Sequence, residues 1–245
     1  MGVVRQTSLD SLRKHGINIR QPAQGYRFSL DALLLAEFTR LPDQAVVADL
    51  GTGCGVIPLV LARRNPAARF VAFEKNPDMA AMADENARAN GLGGRIETVA
   101  DDILNIRTRF PVSSFDVVVS NPPFRSPGSG KTSPHAGRDA ARHETTAGLA
   151  DFLAAAKYLV KSSGRIFFIY PPSRLAEFIR CAGELKLALL RLRMVHGSGQ
   201  AIAKMFLVEL AKGRRGDVTV EPPLIVYDRP GEYTDEVARI LGECE

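Results

Sequence analysis

The sequence predicts an α/β fold built on a doubly wound, mostly parallel sheet of seven strands whose last strand runs antiparallel. Three observations carry this. Apolar, β-branched runs alternate with segments of helical period, the pattern of consecutive βαβ units. The first clear strand runs straight into a glycine-rich turn that opens a helix, as at the carboxyl edge of a parallel sheet. The final two apolar runs are separated only by residues 196–203, too few for a crossover helix, so they pair antiparallel at the sheet edge.

In chain order the strands fall at 46–50 (VVADL), 69–74 (RFVAFE), 95–99 (RIETV), 115–120 (FDVVVS), 164–170 (GRIFFIY), 187–195 (LALLRLRMV) and 204–211 (KMFLVELA). Helices fill the gaps. Leu30, Leu33, Leu34, Phe38 and Leu41 share one face of a helix over 29–41. A helix over 55–64 follows the first strand, with Pro58 tolerated in its first turn. Asn76 caps the next helix, Pro77 takes its first position and Gly91 ends it. Two more amphipathic helices span 149–160 and 173–185. The segment 125–146 is rich in Gly, Ser, Pro and basic residues and lacks periodicity. A loop of that length in a compact domain is usually functional or disordered, and its start directly after Asn121-Pro122-Pro123-Phe124 favours function. The whole reads as one domain: a lead-in and helix over 1–44, a core over 45–212 and an extension over 213–245.

Bulk composition narrows the class. The chain has 245 residues, 45% hydrophobic and 24% charged, with a net charge of +5. This supplies an ordinary core and a mild basic lean that suits a polyanionic partner. Three scattered cysteines, Cys54, Cys181 and Cys244, argue against a disulfide framework and a structural zinc, and fit a reducing compartment. No apolar run approaches the ~20 residues needed to cross a bilayer, and the amino terminus has no apolar leader core, so the expected location is the cytoplasm. Gly130-Lys131-Thr132 lacks the preceding glycine and strand of a phosphate-binding loop, and His135 and His143 lack metal-ligand spacing; no metal is expected. The sequence carries no signal for oligomeric state.

Chemistry concentrates at the strand ends. Asp49-Leu50-Gly51-Thr52-Gly53-Cys54-Gly55 follows the first strand, and its alternating glycines let backbone approach a ligand closely. Val56 occupies the place where a dinucleotide fingerprint needs a small residue, which disfavours a pyrophosphate cradle. Glu74 ends the second strand about 20 residues later, where a carboxylate meets ribose hydroxyls in such folds. Asp102, after the third strand, is placed to accept from an adenine amino group beside Ile103; Asp101 is its competitor. The fourth strand ends in Asn121-Pro122-Pro123-Phe124. Consecutive prolines stop the strand and stiffen its exit. The Asn121 side-chain carbonyl and the Pro122 backbone carbonyl can then accept both hydrogens of one NH₂ group, and Phe124 offers a face to a planar base.

These motifs, in this order and spacing, resemble the class I S-adenosylmethionine-dependent methyltransferases across residues 45–210, and imply their Rossmann-like methyltransferase sheet. The NPPF stretch resembles the branch that methylates amino nitrogens. Residues 24–36 (QGYRFSLDALLLA), Ala141-Arg142-His143-Glu144 and the terminal PPLIVYDRPGEYTDEV are similar to the tRNA1(Val) adenine-N6 methyltransferase family. The resemblance implies S-adenosyl-L-methionine bound by Asp49, Gly51, Gly53, Gly55, Glu74, Asp102 and Asn121, and catalysis at Asn121, Pro122, Pro123 and Phe124. It also implies a tRNA substrate, modified at the adenine 3′ of the anticodon. Arg125, Lys131, Arg138 and Arg142 are the expected phosphate contacts. The competing readings are an rRNA guanine-N2 methyltransferase, a protein glutamine methyltransferase and a non-catalytic cofactor- or RNA-binding module.

Overall fold

A computed structural model describes residues 7–23, 29–124, 147–213 and 217–242. The chain opens with an antiparallel hairpin, β1 (Thr7–Leu12) and β2 (Ile17–Pro22), and then α1 (Leu30–Phe38). The alternating core follows: β3 (Val46–Leu50), α2 (Val56–Arg64), β4 (Arg69–Glu74), α3 (Pro77–Ala89), β5 (Ile96–Ala100), the short α4 (Ile106–Arg109) and β6 (Phe115–Ser120). Next come α5 (Leu149–Leu159), β7 (Val160–Tyr170), α6 (Leu175–Glu184), β8 (Leu187–His196) and β9 (Ala203–Lys212). The chain closes with β10 (Thr219–Val220), β11 (Leu224–Ile225), the hairpin β12 (Tyr227–Arg229) and β13 (Glu232–Tyr233), and α7 (Asp235–Leu241).

The central sheet has the order β10–β8–β9–β7–β6–β3–β4–β5, with β11 also on β8. All seven expected strands are present. Strand β9 runs antiparallel to both neighbours, β7 and β8, as the short 196–203 connection demands. The seven-strand expectation needs one extension. Strand β8 is not the bare edge, because two two-residue strands of the carboxyl-terminal segment pair parallel to it.

Burial on both faces explains the near-continuous apolar runs of the parallel strands. Along β6, Val117 and Val119 pack under α1 and α2, while Val118 joins the core beneath α5 and α6. Strand β7 repeats the alternation, with Phe167 and Ile169 on one face and Ile166, Phe168 and Tyr170 on the other. Capping follows the local sequence: the Asn76 side chain accepts from the N–H groups of Asp78 (2.9 Å) and Met79 (3.3 Å), with Pro77 at the first helical position of α3.

The amino-terminal hairpin was not foreseen. Its outer edge is completed by side chains instead of a strand. Asn90 Oδ1 accepts from the Asn18 N–H (2.9 Å) and Asn86 Oδ1 from the Arg20 N–H (2.8 Å). Asn86 Nδ2 donates to the carbonyls of Arg20 (2.8 Å) and Cys54 (2.9 Å), which ties the hairpin to the glycine-rich turn through α3.

Candidate active site

The parallel pairing of β3 with β4 and β6 brings three strand ends side by side at the carboxyl edge. The turn after β3 folds over that edge because Gly51, Gly53 and Gly55 adopt φ of +75°, +61° and +87°, a region side-chain-bearing residues rarely enter. The N–H groups of Gly51 and Thr52 both donate to the Phe73 carbonyl (2.9 Å each). A Cβ at Gly51 would lie 3.4 Å from the Phe152 ring, and one at Gly55 3.3 Å from Ala83 Cβ, so the turn is pressed against α5 and α3.

Glu74 closes β4 and holds two backbone segments. Its Oε2 accepts from the Gly53 N–H and its Oε1 from the Asn76 N–H, both at 2.9 Å. Each carboxylate oxygen retains a further acceptor site toward the cavity that Glu74 lines. The two aspartates after β5 separate cleanly. Asp101 turns away to Asn105 Nδ2 and Arg109 Nε (2.8 Å each), and these contacts, Asn105 first, hold its carboxyl below the usual carboxylate range. Asp102 lines the cavity, accepting from the Leu104 N–H (3.0 Å) and pairing with Lys75 Nζ (2.9 Å).

These strand ends enclose a cavity of about 290 Å³ whose walls include Gly51, Gly53, Glu74, Asp102, Ile103 and Asn121. Buried side-chain oxygens without partners gather at these strand ends: Asn121 Oδ1 at the cavity wall, both Asp49 oxygens on the neighbouring β3, and Thr52 Oγ1 in the turn that follows. Asn121 is 9% exposed, and its Oδ1 is buried without a hydrogen-bond partner. Asp49 is 1% exposed and neither of its oxygens has a partner. Burial pushes the Asp49 carboxyl up to about 7; the Thr52 hydroxyl, nearby but outside hydrogen-bond geometry, eases the shift and the Glu74 charge adds to it. Unsatisfied buried acceptors cost about 1–3 kcal/mol each; Asn121 Oδ1 carries that cost at the cavity wall and the Asp49 oxygens carry it one strand away.

Around Asn121 the strand exit is rigid. Ser120 Oγ donates to the Leu50 carbonyl (2.7 Å), locking β6 to β3. Pro122 is buried, Pro123 lines the cavity and Phe124 is half-buried, packing against the cores on both sides of the sheet. Tyr170, at the end of β7, meets the Phe124 ring edge-on at 5.4 Å and 77°. The Tyr170 hydroxyl accepts from Arg174 Nη1 (2.6 Å), and Arg174 is itself gripped by the Glu177 carboxylate. Sequence reasoning missed Tyr170, Arg174 and Phe152; only the lateral order of strands reveals them. Arg125, Lys131, Arg138 and Arg142 lie outside the described residues. Among the described residues no group of three His, Cys, Asp or Glu can hold a metal ion, and no helix is long and apolar enough to cross a membrane.

Residues 30–174 match the methyltransferase small domain family. A tRNA1(Val) (adenine(37)-N6)-methyltransferase of Porphyromonas gingivalis is 33% identical over 199 residues, covering 78% of this chain and 76% of that one. A namesake from a Flavobacteriaceae bacterium is 25% identical and covers 92% of this chain and 94% of its own. Among solved structures, a predicted O-methyltransferase from Agrobacterium tumefaciens shares the fold with a TM-score of 0.70 at 24% identity, covering 86% of this chain and 95% of that one. The family match, relatives aligned over three quarters or more of their length and the cavity at the ends of β3, β4 and β6 agree: the chain is a methyltransferase of the methyltransferase small domain family.

Proposed function

We propose that the protein methylates the N6 amino group of an adenine in tRNA, namely adenine 37, immediately 3′ of the anticodon, of tRNA1(Val), using S-adenosyl-L-methionine. The observation that carries the reading is the buried, unpartnered Asn121 Oδ1 at a proline-stiffened strand exit beside the glycine turn. The relatives named above supply the nucleic acid and the nitrogen.

The residues present suit the cofactor. Gly51 and Gly53 bring side-chain-free backbone to the cavity wall, the Glu74 carboxylate suits ribose hydroxyls, and Asp102 beside Ile103 suits an adenine edge and face. The unpartnered Asp49 oxygens suit an ammonium or other cationic group. When bound, S-adenosylmethionine supplies an electrophilic methyl group on a positively charged sulfur.

An exocyclic amine is a weak nucleophile because its lone pair is delocalised into the ring. Asn121 Oδ1 and the Pro122 carbonyl accept its two hydrogens, favour a pyramidal nitrogen and free the lone pair. No covalent attachment to the protein is needed, so catalysis is positioning and preorganised electrostatics. Phe124, fixed edge-on by Tyr170, presents a ring face for the base, which must leave its stack to enter. Arg125, Lys131, Arg138 and Arg142 serve as phosphate contacts in this reading, and a tRNA substrate implies a cytoplasmic enzyme. Incubation with labelled cofactor and separate tRNA, rRNA, DNA and protein pools tests it. Label is expected in tRNA; label confined to rRNA or protein would refute the substrate assignment.

A further inference from the structure

A second and larger cavity, about 610 Å³, opens on the same sheet edge but outside the site just described. Its walls come from three places: the first turn of α1, the ends of β8 and β9, and the carboxyl-terminal hairpin β12–β13. Helix α1 stands between the two sites. Its Ala32 borders a small space with Asn121 and the glycine turn, while Leu30, Asp31 and Leu34 face the larger cavity. The two chambers are therefore separated by roughly one helix width, about 10 Å.

The wall chemistry is that of a nucleotide site. Tyr227 is 37% exposed, and its ring is backed by Tyr233, stacked at 5.1 Å and 18°. A ring braced from behind offers a firm platform for one base. Lys204 and Arg229 line the cavity and are exposed, and among the described residues neither forms an ion pair; cations so placed suit a phosphate. The Asp31 and Asp228 carboxylates on the same wall balance the cations, disfavour a bare anion as ligand and are acceptors of the kind that base amino groups donate to. His196 is fixed by its Nδ1 against the Ala201 carbonyl (2.7 Å). On the same 197–203 turn, next in sequence to the cavity-lining Ala201, Ile202 is an apolar side chain 85% exposed.

We propose that this cavity holds one nucleotide of the tRNA strand flanking the target adenine, its base on Tyr227 and its phosphate at Lys204 and Arg229. The proposal rests on the tRNA reading above. It gives the carboxyl-terminal extension a task, gripping the strand beside the nucleotide that has left its stack.

The test uses the full chain, a tRNA1(Val) transcript and labelled S-adenosylmethionine, with RNA binding measured separately by fluorescence anisotropy. Lys204→Glu and Arg229→Glu are each expected to raise KM and Kd for tRNA at least tenfold, with the loss falling on KM more than kcat and cofactor affinity unchanged. Tyr227→Ala should do the same, whereas Tyr227→Phe, which keeps the ring, should stay within threefold of wild type. Arg69→Glu, exposed at the start of β4 on the opposite edge, controls for net charge and should change Kd less than twofold. Values within twofold of wild type for Lys204→Glu and Arg229→Glu, or an equal effect from Arg69→Glu, would overturn the subsite. Wild-type protein that binds tRNA without methylating it, while the variants lose binding, removes the proposed reaction and leaves the subsite standing. Wild-type protein that binds no tRNA removes both.

Discussion

Replacing Asn86 by alanine should cost about 4 kcal/mol of stability, a figure set by what the side chain holds. Asn86 is 2% exposed and makes three hydrogen bonds to backbone: from the Arg20 N–H, to the Arg20 carbonyl and to the Cys54 carbonyl. The Cys54 bond is fully buried, so its carbonyl would be left without a partner at about 1–3 kcal/mol. The two Arg20 groups are only partly buried and water can replace the lost partner, leaving about 0.5–1.5 kcal/mol for each. In a protein of this size a sum centred on about 4 kcal/mol lowers the melting temperature by about 8–16 °C. Asn86→Asp is the sharper variant. It keeps the acceptor for the Arg20 N–H but turns a carboxylate oxygen toward two carbonyl oxygens, so at pH 8 it should destabilise at least as much as alanine. Urea denaturation read by circular dichroism measures both, and calorimetry on the folded fraction should show weakened cofactor binding because Cys54 belongs to the glycine turn. A cost under about 1 kcal/mol for alanine, or a milder effect from aspartate than from alanine, would refute the reasoning.

Three further outcomes are expected. Asp49 has a folded-state pKa of about 7, above the usual carboxylate value, so the folded state holds this proton more tightly than the unfolded chain; its contribution is fully present below about pH 4, falls as pH rises to about 7 and is constant beyond. Asn at position 49 should therefore gain on wild type across that window, by an amount on the order of 4 kcal/mol, while losing cofactor affinity; parallel stability curves from pH 4 to 8 would contradict this. Gly53→Asp places a side chain at φ +61° and a second charge beside Glu74, whose Oε2 accepts from the Gly53 N–H, and should abolish calorimetric cofactor binding; normal affinity would sink the cofactor assignment. Arg138→Glu combined with Arg142→Glu should weaken tRNA binding and flatten its salt dependence with cofactor affinity intact, and unchanged binding would move the phosphate contacts elsewhere.

The parts of the fold that could be read in advance are those whose signal is local. Strands β3 to β9 announce themselves because burial on both faces makes them apolar throughout, and the short 196–203 connection dictates the antiparallel turn-back. The β1–β2 hairpin has no such signal: Leu9 is 69% exposed, and the edge of β2 is satisfied by Asn86 and Asn90 from the other end of α3. Strands β10 and β11 are two residues each, too short for any periodicity, and exist because β8 has an edge to offer. That Gly51, Gly53, Glu74, Asp102 and Asn121 come together around one cavity follows from the sequence because each sits at a strand end, and the ends of parallel strands meet at one edge. Which of Asp101 and Asp102 faces that cavity depends on Asn105 and Arg109, which draw Asp101 away. Tyr170 and Arg174 become visible only once β7 is known to lie beside β6.

In the proposed reaction Asn121 Oδ1 accepts a hydrogen of the target amine, and its removal should slow the methyl-transfer step itself. Single-turnover methyl transfer to tRNA1(Val) transcript is followed for wild type and Asn121→Ala, with the product nucleoside identified by mass spectrometry and fold and cofactor affinity checked on the same preparations. Wild type should yield N6-methyladenosine at position 37. Asn121→Ala should remain folded, still bind cofactor and, at saturating cofactor, transfer about 10²–10³-fold more slowly, the usual cost of removing one preorganised group. A folded, cofactor-competent Asn121→Ala protein with near-wild-type turnover would contradict the account, as would a wild-type product methylated at any nitrogen other than adenine N6.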